Sequence, residues 1–394
     1  MAERLIIAGG GLSGVLAAVA VKQARPDLDI ALFEAGPQLG GDHTWSFYDT
    51  DLSRAGKALV EPLIAHKWSG YDTIFDEFSR SFSTAYRSIT SASLHRGAME
   101  RISQHVHFDS PIAAVDEDGV TLADGTREEG DAVIDARGAT RLDGVALRWQ
   151  KFFGQEVRLS APHGLTRPVI MDASVAQVEG YRFVYLLPFT DDTLLIEDTY
   201  YTDIRKVERD VLRERIAQYA AGRGWTIAEV LREEQGCLPL ALSSDVERLW
   251  ASAAPPGSAA PIGLRAGLFH PVTSYSLPVA VRTALEIAGL RGELTTERLR
   301  TTMEAFTRKH FRQTSFDRLL NRMLFMACPA EDRHRVLARF HTHPQALIER
   351  FYAGALSKSY QFRVLASRPP VPFFAAVKVV PERAAFSSHL QPSL

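Results

Sequence analysis

The chain has 394 residues, enough for two or more domains with sizeable cores, and its 46% hydrophobic and 23% charged residues fit a soluble globular protein. With 45 Lys plus Arg against 47 Asp plus Glu, no global field favours nucleic acid. Two cysteines, Cys237 and Cys328, fit a reducing cytosol and give no disulfide framework, and no run of ~18 apolar residues is present to span a bilayer.

The first apolar run, Leu5 to Ala8, reads as a buried strand that breaks into glycines. Gly9, Gly11 and Gly14 give the spacing G-x-G-x-x-G, residues 13 to 23 are rich in helix formers without proline, and residues 29 to 33 read as a second strand ended by Glu34. Glycine-rich turns are common, so the strand–glycine–helix–strand order carries the meaning. Gly9 allows the tight turn, Gly11 lets backbone approach a pyrophosphate, and Gly14 lets the helix pack on the strand. The helix amino end then offers free N–H groups and a positive dipole end to phosphates. Glu34 is placed to accept a hydrogen bond from a ribose 2′-hydroxyl and disfavours a 2′-phosphate, so the ligand expected is FAD or NAD rather than NADP. Because the apolar run continues into this pattern, it reads as structure and not as a leader.

A loop over residues 35 to 41 ends in Gly40 and Gly41, a second close approach of backbone to something. In FAD proteins of this type such a loop lies near the flavin. Residues 65 to 90 alternate aromatic and polar positions as antiparallel strands do. A helix is expected over 91 to 104, where Leu94, Ala98 and Ile102 recur at helical spacing, followed by short strands at 106–108, 112–115, 119–122 and 131–135. The last strand runs into Asp135, Ala136, Arg137 and Gly138, the acid-and-glycine ending that closes beside the cofactor in FAD proteins of this fold.

Strand character returns over 155 to 200, with strands at 169–173, 181–187 and 193–200, then a helix at 203–221 and a surface loop at 252–261. Residues 262 to 271, including Gly267 and Pro271, read as another strand and glycine loop before a helix at 279–288, so a second helix terminus points at the ligand. From residue 295 the chain is mostly helical and shows no internal repeat. The expected architecture is α/β, with a discontinuous Rossmann-like FAD-binding domain from residues 1–50, 88–150 and 262–290. A β-rich substrate domain from 51–87 and 151–261 is inserted in it, and 291–394 form a C-terminal helical region.

Nearly the whole sequence resembles the bacterial lycopene β-cyclases, the flavoprotein family of carotenoid ring-forming enzymes. The likeness is carried by G-G-G-L at Gly9 to Leu12, G-G-D-H-T-W-S-F at Gly40 to Phe47 and P-V-I-M-D-A at Pro168 to Ala173. It continues in G-Y-R-F-V-Y at Gly180 to Tyr185, L-L-I-E-D-T at Leu194 to Thr199 and L-R-E-E-Q-G at Leu231 to Gly236. G-L-R-A-G-L-F-H-P at Gly263 to Pro271, L-N-R-M-L-F at Leu320 to Phe325, F-Y-A-G at Phe351 to Gly354 and P-P-V-P at Pro369 to Pro372 complete it. Asp42 stands where the family pattern has Asn, and Ser274 where it has Gly. The resemblance implies an aromatic-hydroxylase-like FAD fold and non-redox cyclisation of lycopene to β-carotene with reduced FAD, NAD(P)H being the candidate electron source.

Making a β-ionone ring begins with a proton added to a terminal carbon–carbon double bond, so it needs a neutral acid in a dry apolar cavity, where burial raises a carboxyl pKa. Glu197 matches the family's catalytic glutamate. Strand alternation puts Leu195, Glu197 and Thr199 on one face and Ile196, Asp198 and Tyr200 on the other, so only one of the adjacent acids enters the cavity. Tyr181, Phe183 and Tyr185 share one face of the preceding strand, either as a packed stripe or as substrate-binding rings that stabilise a carbocation. Arg137, Arg265 and His270 lie in the glycine loops as candidate cofactor contacts or as ordinary loop polar groups, and His341 and His343 have no matching ligand set for a metal.

A hydrocarbon substrate resides in lipid, so the protein is expected in the cytoplasm, peripherally on the inner face of the membrane. Residues 308 to 326 offer a docking helix: Phe316, Leu319, Leu320, Met323 and Leu324 form a stripe, with Arg308, Lys309, Arg312, Arg318 and Arg322 adding positive charge. The same pattern also fits a core-facing helix with a solvated basic side. A flavin monooxygenase acting on an apolar substrate and a non-catalytic carotenoid or flavin carrier are the rival readings.

Overall fold

The computed structural model describes residues 3–139, 141–366 and 371–387, so Pro369 and Pro370 of the P-P-V-P string lie outside the described residues. Arg4–Ala8 is the middle of a five-stranded sheet in the order Ala260–Pro261, Ala132–Asp135, Arg4–Ala8, Asp29–Phe33, Val106–His107. Every pairing in it is parallel. The helix Leu12–Ala24 joins the first two strands in sequence and is buried almost all round. Its apolar side chains share one core with those of Leu277–Ala288 and of the sheet. This accounts for its alanine and valine content, since a helix covered on every side has no polar face to show.

A second sheet has seven strands, in the order Ile227–Ser244, Val145–Leu159, Thr193–Thr202, Tyr181–Pro188, Val169–Asp172, Tyr71–Phe75, Phe78–Phe82. It is antiparallel except where Val169–Asp172 runs parallel to Tyr71–Phe75. Its two faces meet different cores. Val184, Leu186, Leu194, Ile196 and Tyr200 pack with Leu212, Ile216 and Ala220 of the helix Arg209–Gly222. Tyr181, Phe183, Tyr185, Leu195 and Tyr201 face an aromatic cluster that includes Tyr48, Tyr86 and Phe351. A period of two in the side chains sorts each strand between these cores. Thr44–Tyr48, Tyr86–Thr90 and His66–Trp68 form a small antiparallel sheet, and Arg127–Glu129, Gly119–Leu122 and Ile112–Val115 form another.

Four expectations change. The strand Val145–Leu159 spans the expected domain boundary at 150, and Ile227–Ser244 is an 18-residue strand that pairs along it. Val145–Leu159 is buried along most of its length, which removes the polar alternation that marks a strand in sequence, whereas Ile227–Ser244 is the edge strand and is buried mainly toward its carboxyl end. Within 252–261, Val246–Ala253 is helical to residue 253 and Ala260–Pro261 adds an edge strand to the parallel sheet. Gly263–Ala266, expected as a strand, is one 3-10 turn ending at Gly267 in left-handed backbone. The expected docking helix is broken: Thr296–Gln313 ends before Ser315–Arg322, and Arg318 and Arg322 are buried, Arg322 to 2% exposure. Arg322 donates hydrogen bonds to the carbonyls of Leu242, Val379 and Val380. Arg318 donates to the Phe311 carbonyl and to Glu382. These two guanidinium groups bind the chain to itself, which leaves Lys309 and Arg312 as the exposed basic residues of the stretch.

Candidate active site

The carboxyl ends of the parallel strands open into a cleft of about 580 Å³ lined by Gly9, Gly11, Glu34, Gly40, Gly41, Arg137 and Gly138, among others. Local backbone chemistry builds it. Gly9 has φ +104°, and a Cβ there would stand 3.0 Å from the backbone of Ala136 and Arg137, just past the neighbouring strand Ala132–Asp135. Gly14 does not line the cleft: a Cβ on it would collide with the Gly9 carbonyl oxygen, so its role is to let the helix sit against the turn. A Cβ on Gly11 would meet nothing within 4 Å, which leaves its face open toward the cleft. The helix begun by Gly11 has no side-chain cap and no acid in its first turn, so its amino-end N–H groups and positive dipole end are available to an anion. Glu34 accepts hydrogen bonds from Gly10 N–H at 2.8 Å and from Gly36 N–H at 2.9 Å, which fixes its carboxylate at the cleft edge.

Besides Gly14, three residues expected at the cofactor do not line this cleft. Asp135 is ion-paired with Arg137 at 2.9 Å and Arg265 at 3.2 Å, and so cross-braces the glycine loop. Gly267 sits where a Cβ would stand 2.9 Å from Phe311, which makes it a close-packing position. The Pro271 carbonyl accepts from Asn321 Nδ2 at 2.7 Å inside the core. His270 is likewise buried, and its Nε2 lies 3.2 Å from the Phe351 carbonyl oxygen.

His43, Trp45 and Ser276 belong to the walls of both the cleft and a second cavity of about 280 Å³, so the two spaces adjoin. The inner cavity is lined by Phe183, Tyr185, Leu195 and Glu197 from the expected strands, together with Tyr48, Tyr275 and Tyr352. Tyr181 shares their face of the sheet but is stacked behind Phe183, with ring centroids 5.2 Å apart, and does not line the cavity. The hydroxyls of Tyr185 and Tyr275 both hydrogen-bond that of Tyr86, at 2.7 and 3.0 Å. Ser274 lies in the same loop at φ +57°, and its Oγ donates to the Pro239 carbonyl at 2.8 Å. Left-handed backbone favours glycine, and Ser274 adopts it here with its side chain hydrogen-bonded.

Glu197 and Asp198 point to opposite faces. Asp198 is fully buried, holds Arg182 through both carboxylate oxygens at 2.7 and 3.2 Å, and accepts from the Tyr200 hydroxyl at 2.7 Å. Glu197 lines the cavity and accepts from Thr199 Oγ1 at 2.6 Å. Burial pushes the Glu197 carboxyl up to about 8, the nearby Glu234 charge adds to the rise, and the Thr199 hydrogen bond opposes it.

Glu234 is the residue that sequence reasoning missed. The register pairs Gly154 with Glu197 on one side and with Glu234 on the other, so two carboxylates flank a glycine in one row across three strands. A Cβ on Gly154 would lie 3.4 Å from Glu197 Cβ and 3.3 Å from Glu234 Cγ, so glycine keeps the row open. Glu234 is anchored by Arg232 Nη1 at 2.6 Å and Thr44 Oγ1 at 3.1 Å. The L-R-E-E-Q-G string contains it, but only the pairing partner gives it a function. The result is a carboxyl with a raised pKa in an aromatic cavity, beside Glu234 and next to a glycine-lined cleft.

The solved structures similar to this chain share its fold at low sequence identity. A flavin-dependent halogenase from Xanthomonas campestris gives a TM-score of 0.61 at 14% identity, covering 100% of this chain and 99% of that one. HpxO of Klebsiella pneumoniae, solved with FAD, gives 0.60 at 16%, covering 93% and 99%. A lycopene beta-cyclase from Pseudescherichia vulneris is 44% identical over 96% of this chain and 98% of its own length, and one from Pantoea ananas is 42% identical over 95% and 97%. The family model described as lycopene cyclase protein matches residues 4–378. With this fold and these relatives, the chain belongs to the lycopene cyclase family.

Proposed function

We propose that the protein is a lycopene β-cyclase that closes the linear ψ-ends of lycopene to β-ionone rings, giving β-carotene by way of γ-carotene. The observation that carries the reading is Glu197, a carboxyl raised to about 8 and aimed into an aromatic cavity that adjoins the glycine cleft. At neutral pH it is mostly protonated and can act as a general acid toward an alkene.

Glu197 donates its proton to the terminal double bond, which leaves a tertiary cation. The neighbouring alkene attacks that cation, forming the ring bond, and a proton then leaves the ring, so atoms are neither gained nor lost. Phe183, Tyr185, Tyr48, Tyr275 and Tyr352 present electron-rich rings and exclude water from the cation. The Glu234 carboxylate, held by Arg232 and Thr44, lies in the same row as the acid and favours positive charge in the cavity. A volume of about 280 Å³ takes one end of the long hydrocarbon, and the rest must run out of the cavity.

FAD fits the outer cleft: Gly9, Gly11 and the helix amino end would hold its pyrophosphate, Glu34 the ribose, and Gly40, Gly41 and Gly138 would give it close backbone approach. In its reduced form, with NAD(P)H as the electron source, it would supply negative charge near the cation without net redox change. The enzyme would work in the cytoplasm on the inner membrane face, where its substrate dissolves.

The deciding experiment is anaerobic incubation of the protein with lycopene, FAD and a reductant, followed by product mass and absorption, in parallel with Glu197→Gln. An isomeric ring product from the native protein, with at least a thousandfold loss in the variant, is expected. Oxygen uptake with an oxygenated product in air would select a monooxygenase instead.

A further inference from the structure

The two buried arginines that interrupt the expected docking helix clamp a later stretch of chain. Arg322 holds the Val379 and Val380 carbonyls at 2.7 and 2.8 Å, and Arg318 holds Glu382 at 2.9 Å. The strap fixed in this way turns Val379 and Ala385 inward, while Phe373 and Phe374 on the short helix Phe373–Lys378 are 74% and 80% exposed. Among the described residues, seven of the eleven exposed large apolar side chains lie between 362 and 386: Phe362, Leu365, Phe373, Phe374, Val377, Val380 and Phe386. Large apolar side chains left exposed this densely along one stretch of chain mark an interaction surface, because each ring left in water forfeits its burial free energy.

Charge narrows what covers it. Arg363 and Lys378 are exposed within the cluster, and Lys358 is exposed beside it. Glu382, the acid of the strap, is turned onto Arg318. The outward face is thus apolar with a positive rim, which matches an anionic lipid surface. No helix among the described residues is long and apolar enough to cross a membrane.

Under this face lies a narrow apolar cavity of about 80 Å³. Val364, Leu365 and Val371 line it on the C-terminal side, whereas Val272, Leu337 and Phe351 line both it and the reaction cavity. One layer of side chains thus separates the two spaces, and no carboxylate lines the narrow one.

We propose that the outward face of residues 362–366 and 371–386 docks on an anionic bilayer, and that this apolar cavity is the route by which a hydrocarbon end passes from lipid to the reaction cavity. The identity of the cargo rests on the cyclase reading; the docking itself does not.

The test uses the full chain with vesicles of phosphatidylcholine, with and without phosphatidylglycerol. Phe373→Ser with Phe374→Ser, and separately Arg363→Glu with Lys378→Glu, alter exposed side chains, and unchanged Tm verifies the fold. Both pairs should lower co-sedimentation with phosphatidylglycerol vesicles about tenfold and slow conversion of vesicle-borne lycopene about as much, while lycopene in detergent micelles is converted at the native rate. Leu365→Trp, which narrows the passage, should leave vesicle binding intact and slow conversion from both sources. Vesicle binding unchanged in both double variants overturns the proposal. A dimer-to-monomer shift in the phenylalanine pair with unaltered vesicle binding would instead assign the face to a second copy of this chain. Native protein that binds vesicles yet forms no ring product would sink the cyclase reading and leave the docking in place.

Discussion

The Glu234→Gln exchange tests whether the carboxylate row sets the acidity of Glu197. The span from the ordinary 4.5 to about 8 corresponds to roughly 5 kcal/mol in favour of the neutral acid. Burial is the larger cause and the Glu234 charge the second, so removing that charge should bring the group down by about one pH unit, toward 7. Arg232, released from Glu234 and still paired with Glu156 at 3.3 Å, acts in the same direction, since its charge favours the ionised form of Glu197. The acid works only when protonated, so the rate falls as pH rises through the folded-state pKa. At pH 6 the variant and the native protein should turn over alike, and at pH 8 the variant should be about fivefold slower. Folding follows the same window. The unfolded chain gives up this proton near 4.5 and the folded chain near 8, so the stability contributed by the neutral acid declines between those values. The assay is anaerobic ring formation with reduced FAD from pH 5.5 to 9.5, with Tm measured alongside. A basic limb that stays in place or moves upward would refute the coupling argument.

Gly11→Ala and Gly14→Ala should separate cofactor binding from folding. The first adds a methyl where the protein leaves open space, so Tm of the apoprotein should hold within a degree or two while FAD affinity drops at least tenfold in a flavin-fluorescence titration. The second drives a methyl into the Gly9 carbonyl and should lower Tm itself, by an amount equivalent to about 2 kcal/mol or more. Arg322→Ala leaves two buried carbonyls and one half-buried carbonyl without their donor and should cost about 3 kcal/mol by urea unfolding; a surface role would predict almost no loss. Gly154→Ala crowds Glu197, Glu234 and Leu195 at 3.2 to 3.4 Å, and should reduce turnover more than tenfold for a stability loss under about 2 kcal/mol.

The segment 308–326 shows why a stripe and its charges do not decide a surface. Phe316 and Leu324 do bury as the periodicity implies, but so do Arg318 and Arg322, because Glu382 and the Val379 and Val380 carbonyls return from some sixty residues later to meet them. Exposed apolar side chains such as Phe373 and Phe374 fall instead just before and along the strap that those arginines hold.

What the sequence determined by itself was local. The order of strand, glycines and helix at residues 4 to 24 depends on steric rules among near neighbours, and so does the opposition of Glu197 and Asp198 on a strand with a side-chain period of two. Only the tertiary structure decided which strands run side by side. Gly154 stands between Glu197 and Glu234 because two long strands pair in one register, and a register is set by the closure of loops and the sharing of cores, which no short window of sequence contains.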